Sequence, residues 1–182
     1  PLSVANPRTE AQVGQRNKFS KVAELASAIL TQFVQPVENP ISGDISGYNL
    51  FCKDNKTAFD AAGDFVPANL VCGGGKIINL EDAYVAGSIE DEKVTLTWQN
   101  GLGISALRLT DKVYAAAITA DGKVLGVSSG ETTRTTESVE IAVTENGADF
   151  AASSKVYVLY ACVSADGRDV SIQTATKEGD VA

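Results

Sequence analysis

Val94-Thr95-Leu96-Thr97-Trp98 alternates apolar and polar residues and ends on the single tryptophan of the chain. A period of two puts Val94, Leu96 and Trp98 on one face of a β-strand. The same period recurs on both sides of it. Strands are predicted at Ala83–Ile89, Val94–Trp98, Lys112–Thr119, Lys123–Ser128, Ser138–Val143, Lys155–Val163 and Val170–Thr176. Asp121-Gly122 and Asp166-Gly167 mark tight turns, because both residue types tolerate the positive φ that such turns need. Several short strands with frequent turns predict a β-sandwich.

Upstream of Phe65 the pattern is helical. Phe19, Val22, Ala23, Ala26, Ile29, Leu30 and Phe33 fall at spacings of three and four, one apolar stripe on a 3.6-residue period. Thr9 and Gln12 have the spacing of a capping box. Pro7 precedes the cap, where it costs no helical hydrogen bond, and Pro36 is expected to end the helix. A second helix is expected from Ser46, as its cap, to Phe59, with Tyr48, Phe51, Cys52 and Asn55 on one face and Gly63 as the stop. The two form a helical hairpin. Phe65–Val71 contains Pro67 and reads as an edge strand. Cys72-Gly73-Gly74-Gly75 reads as a flexible joint, and the tail from Lys177 as a polar, frayed end.

The fold class is therefore α+β, an N-terminal helical hairpin followed by a β-sandwich; with Trp98 ending an alternating strand, Tyr114 in the next long one and Tyr157 and Tyr160 in a late one, residues 83–176 resemble an immunoglobulin/fibronectin-III-like β-sandwich. The expected organisation is residues 1–64 as the helical attachment region, 65–82 as a linker with an edge strand, 83–176 as the sandwich and 177–182 as a polar tail. Trp98, Tyr114 and Tyr160 are its expected core aromatics.

Composition limits what such a protein does. The chain of 182 residues carries a net charge of −8 and is 44% hydrophobic. A negative chain with scattered Lys and Arg is repelled by phosphate backbones, so no nucleic-acid partner is expected. No apolar run approaches the roughly 18 residues of a membrane span, so no membrane insertion is expected. The absence of histidine removes Ser-His-Asp and Cys-His nucleophile systems and His-ligated metals. Cys52, Cys72 and Cys162 are odd in number and lack C-x-x-C spacing, so buried reduced thiols are expected, with one bridged pair as the alternative in an oxidising compartment. The chain has no methionine; Pro1 implies removal of an initiator Met or of a longer leader.

Candidate chemical motifs each have a plainer reading. Asp111, Asp121, Asp166 and Asp169 lie near strand ends but lack calcium-loop spacing, so they read as turn residues. Cys72-Gly73-Gly74-Gly75-Lys76 lacks the spacing of a phosphate loop. Glu90-Asp91-Glu92 reads as a solvated hairpin tip rather than a carboxylate pair for glycosidase chemistry. Asn55-Lys56-Thr57 fits the glycosylation pattern but falls on a predicted helix. No catalytic residue, cofactor or metal is expected.

Asn6-Pro7-Arg8-Thr9-Glu10-Ala11-Gln12, with Arg16, Phe19, Ser46-Gly47-Tyr48-Asn49-Leu50-Phe51 and Ser164-Ala165-Asp166-Gly167 before Val170-Ser171, resembles an uncharacterised DUF-type family of Bacteroidetes and their phages. The resemblance implies a short N-terminal β segment, then this helical unit, then a Trp-containing β domain. The resemblance also implies a Gly/Trp-rich segment before Asn6, a pattern that residues 1–5 do not carry. With the surplus apolar surface of two short helices, it implies a non-enzymatic role: a structural protein of a phage virion, capsid-auxiliary or tail-associated, whose partners are other virion proteins or copies of itself. The candidate interface is Arg8, Arg16, Phe19, Val22, Ile29 and Phe33. The alternative is a bacterial extracellular or surface-assembly module.

Overall fold

A computed structural model describes residues 8–182. Asn6, Pro7 and the expectation about Pro1 lie outside the described residues. The helical elements are α1 (Glu10–Ala28), α2 (Gln35–Glu38), α3 (Gly47–Asp54), α4 (Ala106–Leu109) and α5 (Gly147–Ala152). The strands are β1 (Val71–Cys72), β2 (Glu81–Ser88), β3 (Lys93–Gln99), β4 (Lys112–Thr119), β5 (Val124–Val127), β6 (Ser138–Ala142), β7 (Lys155–Val163), β8 (Thr174–Ala175) and β9 (Lys177–Val181). The fold is α+β.

Thr9 caps α1 as its spacing predicts. Its side chain accepts from the Gln12 amide, and the Gln12 side chain accepts from the Thr9 amide. The helix does not end at Pro36, which corrects the sequence expectation. A π-helical turn at Leu30–Val34 joins α1 to α2, and a 3-10 turn at Asn39–Ile41 follows. Proline breaks an α-helix because it lacks an N–H and clashes with the carbonyl four residues back. A wide π turn just before it relieves both constraints.

The α3 helix starts at the Ser46 cap, whose hydroxyl accepts from the Asn49 amide, and stops at Asp54 rather than Phe59. Asn55 causes the stop. Its side-chain amide donates to the carbonyls of Phe51 and Val71, and its Oδ1 accepts from the Val71 amide. It is fully buried, so no glycan can be attached there.

Seven strands form one sheet in the order β5-β4-β7-β9-β2-β3-β6, and β1 pairs with β8 in a separate two-stranded sheet. The large sheet curls until its ends meet. The amides of Thr144 and Glu145, just past β6, donate to the Leu125 carbonyl of β5. A Cβ on Gly126 would meet the Ala142 carbonyl oxygen at 2.1 Å. The result is barrel-like, whereas an immunoglobulin-type sandwich would stack two sheets face to face.

Two apolar clusters divide the residues of β4 and β7 by parity. Val113, Ala115 and Ala117, with Val156, Val158, Tyr160 and Cys162, point into the barrel beside Val94, Leu96 and Trp98. Ala116 and Ile118, with Leu159, Ala161 and Val163, point outward. The helices cover that outward face with Val22, Leu25, Ala26, Ile29, Phe33, Val37 and Phe51. Residues from both sides of the expected 65–82 linker thus share one cluster. Trp98 is buried and its indole N–H donates to the Arg134 carbonyl at 3.1 Å. Tyr160 is also buried inside the barrel, while Tyr114 is half-buried on the helix side.

Two further expectations are overturned. The Gly73-Gly74-Gly75 stretch is not a flexible joint. The Gly73 amide donates to Glu38, and those of Gly74 and Gly75 donate to the Ser171 carbonyl. These bonds hold residues 170–175 against residues 71–77, so β8 is only two residues long and lies outside the main sheet. Lys177–Val181 is not a frayed tail either. It forms β9, antiparallel to β7 and parallel to β2. Lys155 on β7 forms ion pairs with Glu178 and Asp180 of β9. Gly179 is the residue that lets β9 into its slot, since a Cβ there would meet the Val85 carbonyl oxygen at 2.2 Å.

Gly179→Ala should therefore lower unfolding free energy by about 3 kcal/mol, the upper range for overpacking a tight site. Urea titration followed by Trp98 fluorescence measures it. Loss of less than about 0.5 kcal/mol would show that β9 does not hold the sheet together.

Candidate functional site

The six residues of the candidate interface separate into two groups. Val22, Ile29 and Phe33 are covered by the chain's own core and offer no surface to another molecule. This corrects the reading of the whole stripe as a docking ridge. The stripe reaches the body only from Val22 onward, where Leu25 joins it and packs towards the sheet. Arg8, Arg16 and Phe19 are exposed. No side chain of residues 8–21 is buried, so about three turns of α1 present their surface to solvent. Phe19 is 63% exposed and Val13 is 42% exposed. Phe19 lies in an open depression with Gln15, Arg16, Ser20 and Ala23.

The same helix is held firmly at its far end. A groove of about 610 Å³ runs between α1, the turn at residues 59–65 and the β4–β5 hairpin. Lys21 lies over the Phe59 ring at 5.9 Å, and Phe59 packs against Phe65 at 5.4 Å between ring centroids. The candidate surface is thus the outer side of a helix whose inner side is locked.

Two buried polar arrangements were not foreseen in the sequence pattern, and the second corrects the reading of Asp111 as a turn residue. The first is Glu38, at the end of α2. It is 1% exposed, its Oε1 accepts from the Gly73 amide at 2.9 Å, and its Oε2 has no hydrogen-bond partner among the described residues. Burial pushes its pKa up to about 7, opposed by the Gly73 bond and aided by the Asp54 charge. The second is the Asp111–Arg134 pair. Asp111 is fully buried and Arg134 is 2% exposed, with Arg134 Nε 3.3 Å from the carboxylate. Arg134 also donates to the carbonyls of Ile78 and Asn79. Arg108 approaches the same carboxylate at 3.6 Å. Burial raises the Asp111 pKa, and both arginines oppose that rise. Arg134 was hidden in the polar run Thr132–Thr136, which has no periodicity to betray a buried cation.

The cysteines are buried and free. The Cys72 thiol donates to the Tyr160 carbonyl at 3.2 Å. Burial pushes the Cys162 thiol up to about 12 and raises the Cys72 thiol as well. Thiols held in this way are poor nucleophiles at neutral pH. Asp166 accepts from the Ser164 hydroxyl and the Arg168 amide, which is turn chemistry. No helix among the described residues is long and apolar enough to cross a membrane.

The model of a family described as "Family of unknown function (DUF6266)" matches residues 1–175, and the chain belongs to that family. No characterised protein and no solved structure matches it.

Glu38 makes stability depend on pH. Its pKa is about 7 in the fold against a reference of 4.5. Between those values the folded chain holds a proton that the unfolded chain has released, so stability falls as pH rises from 4.5 to 7 and levels off above. The full fall is about 3 kcal/mol, at 1.36 kcal/mol per unit. Glu38→Gln should remove this component. Urea titrations of both proteins at pH 5 and pH 8 give the difference. Equal slopes for the two would show that Glu38 is ionised throughout.

Proposed function

We propose that this member of the DUF6266 family is a structural protein of a phage particle, as a capsid-auxiliary or tail-associated component. It works by packing against other subunits. One observation carries this reading: α1 is anchored by its second half and displays Phe19 and Val13 on its first half. A helix fixed in that way is pre-organised, so a partner binds it without the cost of ordering it. A large exposed aromatic beside Arg16 has the composition of an interface anchor.

The barrel-like sheet takes the role of the rigid module that the resemblance assigned to an immunoglobulin-like sandwich. The partners in this reading are other virion proteins or further copies of the chain, arranged by the symmetry of the particle. Two features support a packing role over chemistry. The sequence contains no histidine, and its three thiols are buried. The setting in a virion rests on the resemblance to a family that occurs in Bacteroidetes and their phages.

Phe19→Asp separates docking from folding. It should leave the urea midpoint nearly unchanged, within about 0.5 kcal/mol for an exposed site. It should abolish co-sedimentation of the tagged protein with phage particles. Phe33→Ala, three to four turns further along, should instead cost about 4 kcal/mol of stability. Full incorporation of the Phe19→Asp protein into particles would overturn the attachment role of α1. Absence of the wild-type protein from purified particles would overturn the virion reading itself.

A further inference from the structure

A cleft of about 380 Å³ opens beside the buried Asp111–Arg134 pair, away from α1. Ile78 and Ile104 give it an apolar wall, the Gly101–Gly103 loop borders it, and its charged lining is the exposed Glu81, the half-buried Arg108 and the buried Arg134. Leu102 at the tip of that loop is fully exposed, and Ile78 is about half-exposed. The size lies in the range of small-molecule sites, which combine apolar walls with a few fixed polar groups.

Two arginines and one acid, Glu81, line the cleft. Arg134 is committed to Asp111 and to two backbone carbonyls. Among the described residues, the Arg108 guanidinium pairs with the same Asp111 alone, at 3.6 Å. A strong charge-assisted bond is nearer 2.7–2.9 Å, as a general rule of about that length. Two guanidinium groups therefore share the one buried carboxylate, and the remaining balancing charge comes from exposed acids, Glu81 in the cleft lining and Asp169, whose charge reaches Asp111. Glu81 is exposed, and water screens it. A half-buried cation beside an aliphatic wall suits a ligand with an anionic head and an apolar body.

We propose that this cleft binds a small aliphatic carboxylate, with the chain along Ile78 and Ile104 and the carboxylate on Arg108. The planar guanidinium presents paired donors to a carboxylate, which an alcohol cannot match. The site is independent of the α1 surface and stands or falls separately from it.

The test is an NMR titration of the full chain with sodium hexanoate, using hexanol and hexylamine as matched probes. Saturable shifts of the Ile78 and Ile104 methyl signals are expected with hexanoate. Hexanol and hexylamine should bind about tenfold more weakly, since a hydrogen bond to a charged group has about that effect. Arg108→Gln should weaken hexanoate by a similar factor, and Arg108→Lys should retain part of the affinity. Equal binding of hexanol and hexanoate, unchanged affinity in Arg108→Gln, or no shift of these methyl signals would each overturn the proposal. Should Arg108→Gln fail to fold, Ile104→Phe takes its place by filling the cleft, and unchanged hexanoate affinity there would overturn it equally.

Discussion

Strands β4 and β7 have almost no face left for water. Along Ala115–Thr119 and Val158–Val163 every residue is buried, whichever way it points. One face fills the barrel and the other must be covered, because an exposed face of Ala116, Ile118, Leu159, Ala161 and Val163 would leave a large apolar patch in solvent. The helices supply that cover. This requirement explains why α1 and α3 are not a detachable arm, and why their apolar stripe faces inward. It also explains the path of residues 65–82. They run from helix to barrel across the covered face, with Leu70, Cys72, Ile77 and Leu80 all buried on the way.

Buried polar side chains hold the crossings in place. Glu38 ties α2 to Gly73, Asn55 ties α3 to Val71, and Arg134 ties the loop before β6 to Ile78 and Asn79. Each bond joins segments far apart in sequence. Each also replaces a backbone partner that a strand or helix would supply. A buried charge is a weak source of net stability, since desolvation offsets most of the attraction. Its effect is to make alternatives worse. If the 70–80 segment shifted by one residue, Glu38 would lose its bond from Gly73 and Arg134 would lose its two carbonyls and keep only Asp111, at a cost of several kcal/mol.

Much of this was legible in the sequence, and the failures share a cause. β4 and β7 were found at their true ends because a buried strand of that length has no competing pattern. The Thr9–Gln12 cap and the Ser46 cap were legible because caps are local chemistry. What failed was non-local. β9 reads as polar because only Gly179 and Val181 turn inward, and its place depends on Val85 and Lys155, both remote in the chain. The helix past Pro36 depends on a π turn that has no sequence signature of its own. The end of α3 depends on Val71, and the burial of Arg134 depends on Asp111. For the candidate site, the helical period identified Phe19 and Val22 as neighbours on one stripe but not the point where the body ends. That point lies between Phe19 and Val22, within one turn.

The exposed remainder of the stripe also limits how attachment operates in the proposed reading. Burying one phenylalanine side chain yields about 1.5–3 kcal/mol, whereas association costs at least about 4 kcal/mol in lost freedom of motion. Phe19 and Val13 alone do not hold two free molecules together. They are sufficient where many copies bind a lattice, because each contact then acts at the high effective concentration set by its neighbours. Weak single contacts multiplied by symmetry suit a subunit that is added late to an assembled shell. A chain that self-associated strongly in solution would compete with its own placement. Within the proposed reading, the burial of Val22, Ile29 and Phe33 therefore favours an accessory component over a shell-forming one: that part of the helical stripe is already used to complete the fold.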